Sequence, residues 1–144
     1  MRIIICNRSS IEHKVLPDNT AVISIADFGD DFAVLKSPPS ALLQLSFNDV
    51  DNDIFADELG DNIAEKYHMF TDTQAEQVVD FYKQLPPETE YIVCQCEHGQ
   101  SRSAGIAAAL LQYRCGKGID IFANDKYYPN KVVYRKVMTA FLSN

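Results

Sequence analysis

A cysteine and an arginine, six positions apart, are the residues that point most directly to a chemical reaction. They are Cys96 and Arg102, with Gly99 between them. A thiol at the start of a helix and beside a guanidinium group is shifted towards the thiolate, which is its nucleophilic form. The planar guanidinium group matches two oxygens of a phosphate, and glycine allows a close approach that a side chain would hinder. We therefore predict that Cys96 is a nucleophile that attacks a phosphoryl group held by Arg102.

The flanking sequence predicts how this segment is positioned. Residues 91–94 form a hydrophobic run typical of a buried strand, and residues 104–111 form an alanine-rich run typical of a helix. A loop between a strand and a helix directs several N–H groups at one point, where the positive end of the helix dipole also lies. The predicted phosphate-binding residues are Glu97, His98, Gly99, Gln100, Ser101 and Arg102.

The pattern of Cys, five residues, Arg and Ser resembles the signature of the cysteine-dependent protein tyrosine phosphatases. The short chain and the run at 99–104 are most similar to the dual-specificity branch, particularly its small microbial members. This resemblance implies hydrolysis of phosphotyrosine, with phosphoserine and phosphothreonine as further candidates, through a phosphocysteine intermediate. It also implies that Ser103 stabilises the Cys96 thiolate as the leaving group of the second step. No cofactor is expected.

The resemblance also implies a general acid, an Asp on a loop that follows an earlier strand. Asp49 matches best because it lies two residues past the run at 45–47. Asp51 and Asp53 lie in the same acid-rich stretch and remain competing candidates. The run Tyr128-Pro129-Asn130 is similar to a motif that packs near the loop in the small microbial group.

The sequence departs from the family at the position before the nucleophile, where Gln95 replaces the usual His. Glu97 adds a negative charge beside Cys96, whereas His98 adds a positive charge at mildly acidic pH. Because these effects oppose each other, we predict modest activity. Two alternatives stay open: a phosphate-binding module with little turnover, and a rhodanese-like sulfurtransferase, although the Gly-x-Ser-Arg-Ser run favours phosphate.

Cys94 lies two residues before the nucleophile and has two interpretations. It is either a buried strand cysteine or a redox partner of Cys96. With His98, these cysteines form a Cys-x-Cys-x-His pattern, but no second ligand pair at standard spacing accompanies it. We therefore predict no metal site.

Composition limits the classes of protein that remain. A chain of 144 residues, 47% of them hydrophobic, predicts a single domain over residues 1–144. No apolar run approaches the about 18 residues of a membrane span, and the start of the chain does not resemble a secretory signal. Four irregularly spaced cysteines favour the reducing cytoplasm. The net charge of -7 argues against nucleic acid and favours a singly phosphorylated substrate, either a phosphorylated protein or a small phosphomonoester. We expect the chain to be a monomer.

Alternating strand and helix patterns predict an α/β fold with a central, mainly parallel sheet of four to five strands flanked by helices. Strands are predicted at 2–6, 21–25, 41–47 and 91–94, and helical runs near 75–82, 104–111 and 131–142. Ser9 or Ser10 is expected to cap a short helix. Thr71 or Thr73 is expected to cap the second helix, with Glu76 completing a capping box if the cap is Thr73. In such sheets ligands bind beyond the carboxyl ends of the strands.

Overall fold

The computed structural model describes residues 1–51 and 67–143, which form a parallel sheet with helices on both faces. The strands are β1 (Arg2–Cys6), β2 (Thr20–Ala26), β3 (Ala41–Ser46) and β4 (Tyr91–Gln95). The helices are α1 (Arg8–His13), α2 (Asp72–Lys83), α3 (Arg102–Cys115), α4 (Ile119–Phe122) and α5 (Lys131–Ser143). The strand order is β1-β4-β2-β3 and every pairing is parallel, so the predicted α/β fold class is confirmed.

The two central strands, β2 and β4, bring different parts of the chain side by side. Ile23 of β2 lies opposite Cys94 of β4, and Ile4 of β1 lies opposite Val93. Every residue of β2 is buried, because helices or loops cover both faces of the sheet at its centre. The strand that ends at the predicted nucleophile is therefore held between β1 and β2.

One face of the sheet carries the main core, formed with α2, α3 and α5. In α3 the small residues Ala104, Ala107 and Ala108 are fully buried, which lets the helix pack closely. A Cβ atom on Gly105 would lie 2.7 Å from the backbone oxygen of Asn130, so α3 and the start of α5 are in close contact. The turn before α5 is thereby fixed against the helix that begins at the loop.

The first turn of α2 shows which of the two predicted caps is used. Thr71 Oγ1 accepts a hydrogen bond from the N–H of Gln74, and the Gln74 side chain accepts one from the N–H of Thr71. This capping box satisfies two N–H groups at once. The predicted pairing of Thr73 with Glu76 is therefore wrong, because the helix starts two residues earlier.

The other face of the sheet is covered by α1 and a smaller apolar cluster around Ile11, Val22 and Val93. The cap of α1 is Asn7, whose Oδ1 accepts a hydrogen bond from the N–H of Ser10 at 2.8 Å. The prediction of Ser9 or Ser10 as the cap is wrong, because the chain turns into the helix directly after β1. No helix in the described ranges 1–51 and 67–143 is long and apolar enough to span a bilayer.

Candidate active site

The predicted nucleophile lies at the carboxyl end of β4, directly before the predicted loop. Cys96 is 2% exposed, and its Sγ lies 3.0 Å from Oγ of Ser103, which is fully buried in the first turn of α3. A hydroxyl group at this distance can donate to a thiolate. The structure therefore brings together the two residues that the resemblance pairs.

The backbone of the loop has N–H groups available for an anion. Within residues 1–51 and 67–143, the N–H groups of residues 97–102 donate to no protein acceptor. Further along α3, the N–H group of Gly105 donates to the carbonyl of Ser101 at 2.8 Å. Unpaired N–H groups at the start of a helix form a site that favours negative charge.

Gly99 shapes this loop through both its torsion and its packing. Its φ is +66°, in the left-handed region that residues with a Cβ rarely adopt. A Cβ atom there would lie 2.7 Å from the carbonyl carbon of Cys6 and 2.8 Å from the nitrogen of Asn7. The loop can therefore rest directly against the chain where β1 ends, which requires glycine at this position.

Arg102 is held on one side and has an unpaired nitrogen. The residue is 4% exposed, and Nη1 donates to the carbonyl of Phe47 at 2.8 Å. The same nitrogen lies 2.6 Å from Oδ1 of Asp27. Nε is buried and has no hydrogen-bond partner among the described residues. An unpaired buried N–H is costly, so this nitrogen is a natural donor to a bound oxyanion.

Asp27 is the partner of Arg102 that the sequence analysis missed. It comes directly after β2, whose carboxyl end lies beside that of β4. Its side chain is 47% exposed, so the carboxylate lies at the mouth of the site rather than in the core. The available signal was an acidic residue at the carboxyl end of a strand, but the sheet order was needed to place it beside Arg102.

Asp49, the predicted general acid, lies at the edge of the loop. Its Oδ1 accepts hydrogen bonds from Ser101 Oγ and from Asn130 Nδ2, both at 2.8 Å. No described residue donates a hydrogen bond to Oδ2 of Asp49. The carboxyl group is thus positioned through one oxygen, and the other oxygen remains available to carry a proton.

Asn130 is a second residue whose contribution the sequence analysis left unspecified. It is fully buried, and its N–H donates to the carbonyl of Ser101 at 3.0 Å. Its Nδ2 donates to Asp49 and its Oδ1 accepts from the N–H of Val133 in α5. Tyr128 also donates its N–H to the carbonyl of Gln100, so the Tyr128-Pro129-Asn130 run does pack against the loop.

The competing acids are less well placed than Asp49. Asp51 Oδ1 accepts from the backbone N–H groups of Lys131 at 2.7 Å and Val132 at 3.4 Å. Asp51 therefore interacts with the first turn of α5. Asp53 lies outside the described residues.

The two charged residues inside the loop, Glu97 and His98, have exposed side chains. Glu97 Oε2 lies 3.6 Å from Nη1 of Arg8, and its carbonyl accepts from the N–H of Arg8 at 3.2 Å. Arg8 thereby offsets the negative charge that the sequence places beside Cys96. The buried Gln95 side chain accepts a hydrogen bond from Ser24 Oγ at 2.5 Å, which ties β4 to β2 below the loop.

Two further cysteines, Cys6 and Cys94, lie in surroundings that disfavour the thiolate. All four cysteines are free thiols. Burial, and then the nearby charge of Cys96, raise the pKa of Cys6 to about 11. Burial also raises the pKa of Cys94 far above its ordinary value, with Cys6 and Cys96 adding to the effect. Cys6 and Cys94 are therefore protonated at neutral pH and are poor nucleophiles there.

The contact between Asp27 and Arg102 leads to a test with two substitutions. Asp27→Asn keeps an oxygen that can accept from Nη1, so we expect activity on an aryl phosphate to stay within about threefold of wild type. Asp27→Ala removes the acceptor and frees the guanidinium group to move, so we expect kcat/KM to fall by about tenfold or more. Steady-state kinetics would measure both. Equal activity of Asp27→Ala and wild type would show that Phe47 alone positions Arg102.

Comparison with known proteins supports the fold. No protein-family model matches the chain, and neither does any curated protein. PTPMT1 in complex with PI(5)P has a TM-score of 0.53 at 15% identity, over 85% of this chain and 76% of that chain. A mouse putative dual specificity phosphatase complexed with zinc tungstate has a TM-score of 0.52 at 15% identity, over 85% of this chain and 70% of that chain. A further structure of PTPMT1 has a TM-score of 0.53 at 14% identity, over 99% of this chain and 90% of that chain. The resemblance to cysteine-dependent phosphatases is thus confirmed at the level of the fold.

Proposed function

We propose that this chain is a cysteine-dependent phosphatase that hydrolyses phosphate monoesters. One observation carries the proposal: a thiol paired with a hydroxyl group lies at the start of a loop whose N–H groups and arginine Nε have no described protein partner. The thiol supplies a nucleophile and the unpaired donors supply charge stabilisation. We further propose that the chain acts as a monomeric, single-domain enzyme of the cytoplasm and needs no metal or cofactor.

In the first step, the Cys96 thiolate attacks phosphorus in line with the leaving oxygen. The S–P bond forms as the P–O bond to the substrate breaks, and Asp49 gives its proton to the departing alkoxide or phenoxide. The N–H groups of residues 97–102, together with Arg102, hold the three oxygens of the transferring group. These donors are fixed before reaction, so they stabilise the transition state without reorganisation.

In the second step, water attacks the phosphocysteine and releases inorganic phosphate. Asp49, now ionised, accepts a proton from this water as the P–S bond breaks. The departing electron pair returns to Cys96 as a thiolate, which Ser103 Oγ stabilises by donating a hydrogen bond across the 3.0 Å contact. The enzyme is then restored to its starting state.

The charge of the chain supports a singly phosphorylated substrate. The net charge is -7, and the Asp27 carboxylate lies beside Arg102 at the mouth of the site. Both features disfavour a ligand that carries several phosphate groups, because like charges repel over distances near the screening length of about 8 Å. We therefore propose a singly phosphorylated substrate, namely phosphotyrosine with phosphoserine and phosphothreonine as further candidates, rather than a multiply phosphorylated inositol lipid.

A phosphate-binding module with little turnover is the second candidate. It is favoured by the buried Gln95, which hydrogen-bonds to Ser24 and cannot carry the positive charge of the usual His. Both candidates bind an oxyanion in the loop, but only the first releases product. Rhodanese-like sulfur transfer remains an untested third candidate, without a structural observation that favours it.

An aryl phosphate assay with tungstate as a competitor tests the proposal. We expect phosphate release at neutral pH without added metal and competitive inhibition by tungstate. Tungstate binding without phosphate release would favour the binding module. Absence of both would contradict the proposed anion site.

A further inference from the structure

A cavity of about 500 Å³ lies beside the edge strand β1, on the sheet face that α1 covers. Its volume is within the range of sites for small molecules. It is lined by parts of β1, α1, β4, the segment after α1 and the outer part of the loop at 98–100. The proposed roles of Cys96, Arg102 and Asp49 do not involve this cavity.

The cavity has an apolar end and a polar end. Because β1 runs towards the loop and α1 runs back from it, the residues after α1 lie at the end away from the loop. The apolar wall consists of Ile4, Ile11, Val15, Leu16, Pro17 and Val93. The polar end, next to the loop, consists of Asn7, His98, Gln100 and Lys126. A ligand that fits would have an apolar body and a polar head directed at the loop.

The charges around the cavity select an anionic head. Lys126 lines the polar end, Lys14 lines the cavity farther from the loop, and no Asp or Glu of the described residues lines it. Neither lysine forms an ion pair with a described carboxylate, and Lys126 Nζ instead lies 5.6 Å from the ring centre of Tyr127. In a chain with a net charge of -7, two lysines without a lining carboxylate indicate a local preference for a carboxylate over a cation.

The cavity also shares residues with the loop of the candidate active site. His98, Gly99 and Gln100 line it from the outer side of the loop. Gly99 lies against the backbone of Cys6 and Asn7, which also line the cavity. A molecule bound there would touch the same short segment whose N–H groups face the proposed phosphate site.

We propose that this cavity binds an amphiphilic carboxylate with a medium-length apolar body, and that its occupation changes the oxyanion affinity of the loop. The second part rests on the proposed function, because it requires the loop to bind an oxyanion. The apolar body lies along Ile4 and Val15, and the carboxylate lies near Lys126.

Octanoate is a suitable probe, with octanol as the control for the head group. Isothermal titration calorimetry below the micelle concentration is expected to show saturable binding of octanoate and weaker binding of octanol. Val15 is 69% exposed, so Val15→Asp places a negative charge in the apolar wall with little effect on folding. We expect Val15→Asp and Lys126→Glu each to weaken octanoate binding by about tenfold or more. Val34→Asp, at a 74% exposed valine outside the cavity, is the matched control and should bind as wild type does.

The coupling is measured as the affinity for tungstate with and without saturating octanoate. A change of about threefold or more that Val15→Asp removes would support it. Unchanged octanoate binding in both variants would overturn the cavity proposal, because the carboxylate would then occupy another site. Simple competition between octanoate and tungstate would also overturn it, because the carboxylate would then occupy the loop itself. Octanoate binding without any change in tungstate affinity would overturn the coupling alone. Failure of the protein to release phosphate would contradict the proposed function but leave the octanoate result standing.

Discussion

A Cys96→Ser protein is expected to release phosphate from an aryl phosphate at least about 10⁴-fold more slowly than wild type. Serine preserves the shape of the side chain but replaces the thiolate by an alcohol, which is protonated at neutral pH. The nearby thiols of Cys6 and Cys94 cannot replace it, because burial keeps both of them protonated at neutral pH. Steady-state phosphate release by the two proteins measures this effect.

The same variant is expected to bind tungstate, because the loop N–H groups and Arg102 are unchanged. This separates loss of the nucleophile from loss of the fold. Cys115→Ser is the matched control: Cys115 is an exposed thiol at the far end of α3, so this variant should keep wild-type activity. Unaltered phosphate release by Cys96→Ser would falsify the proposed mechanism.

Asp49→Asn is expected to lower kcat by about 10² to 10⁴ with substrates whose leaving group needs a proton. The amide can still accept from Ser101 Oγ through its oxygen, so the loop contact survives while the proton donor is lost. The defect should shrink for a nitrophenyl phosphate whose leaving group is stable without protonation. In wild type, the fall in activity at basic pH is expected to report deprotonation of the Asp49 carboxyl group. This fall should therefore be absent from the pH profile of Asp49→Asn.

Asp51→Asn provides the comparison for this second prediction. Asp51 accepts from the backbone at the start of α5, so its replacement should affect stability slightly and kcat little. If Asp49→Asn keeps both its kcat and its pH profile, the assignment of the acid is wrong. A large loss in Asp51→Asn instead would transfer the role to that residue.

The sheet and the loop could be predicted from sequence because their signals are local. Residues 91–94 and 104–111 carry the strand and helix patterns that place Cys96 and Arg102 at a strand-to-helix turn. Gly99 was predicted on the same local grounds, and its positive φ and tight packing give the physical reason. Each of these features depends on residues only a few positions apart.

The partners of the loop could not be predicted in the same way because they come from other strands. Asp27 reaches Arg102 only because β2 lies next to β4, and the sequence does not state the strand order. Arg8 meets Glu97 because β1 lies on the other side of β4. The position of Asn130 follows from the close packing of α3 against the turn before α5, which Gly105 permits. These contacts depend on tertiary structure, so sequence patterns indicate at most that a polar residue ends a strand or precedes a helix.

The phosphocysteine intermediate is the most direct test of the central claim. Wild-type protein and Ser103→Ala are mixed with an aryl phosphate, quenched within one turnover, digested and analysed by mass spectrometry. We expect the peptide that contains Cys96 to gain one phosphoryl group, and to retain it longer in Ser103→Ala, where the returning thiolate lacks its hydrogen-bond donor. Phosphate release with the phosphoryl group on another residue, or with no modified Cys96 in either protein, would contradict the account.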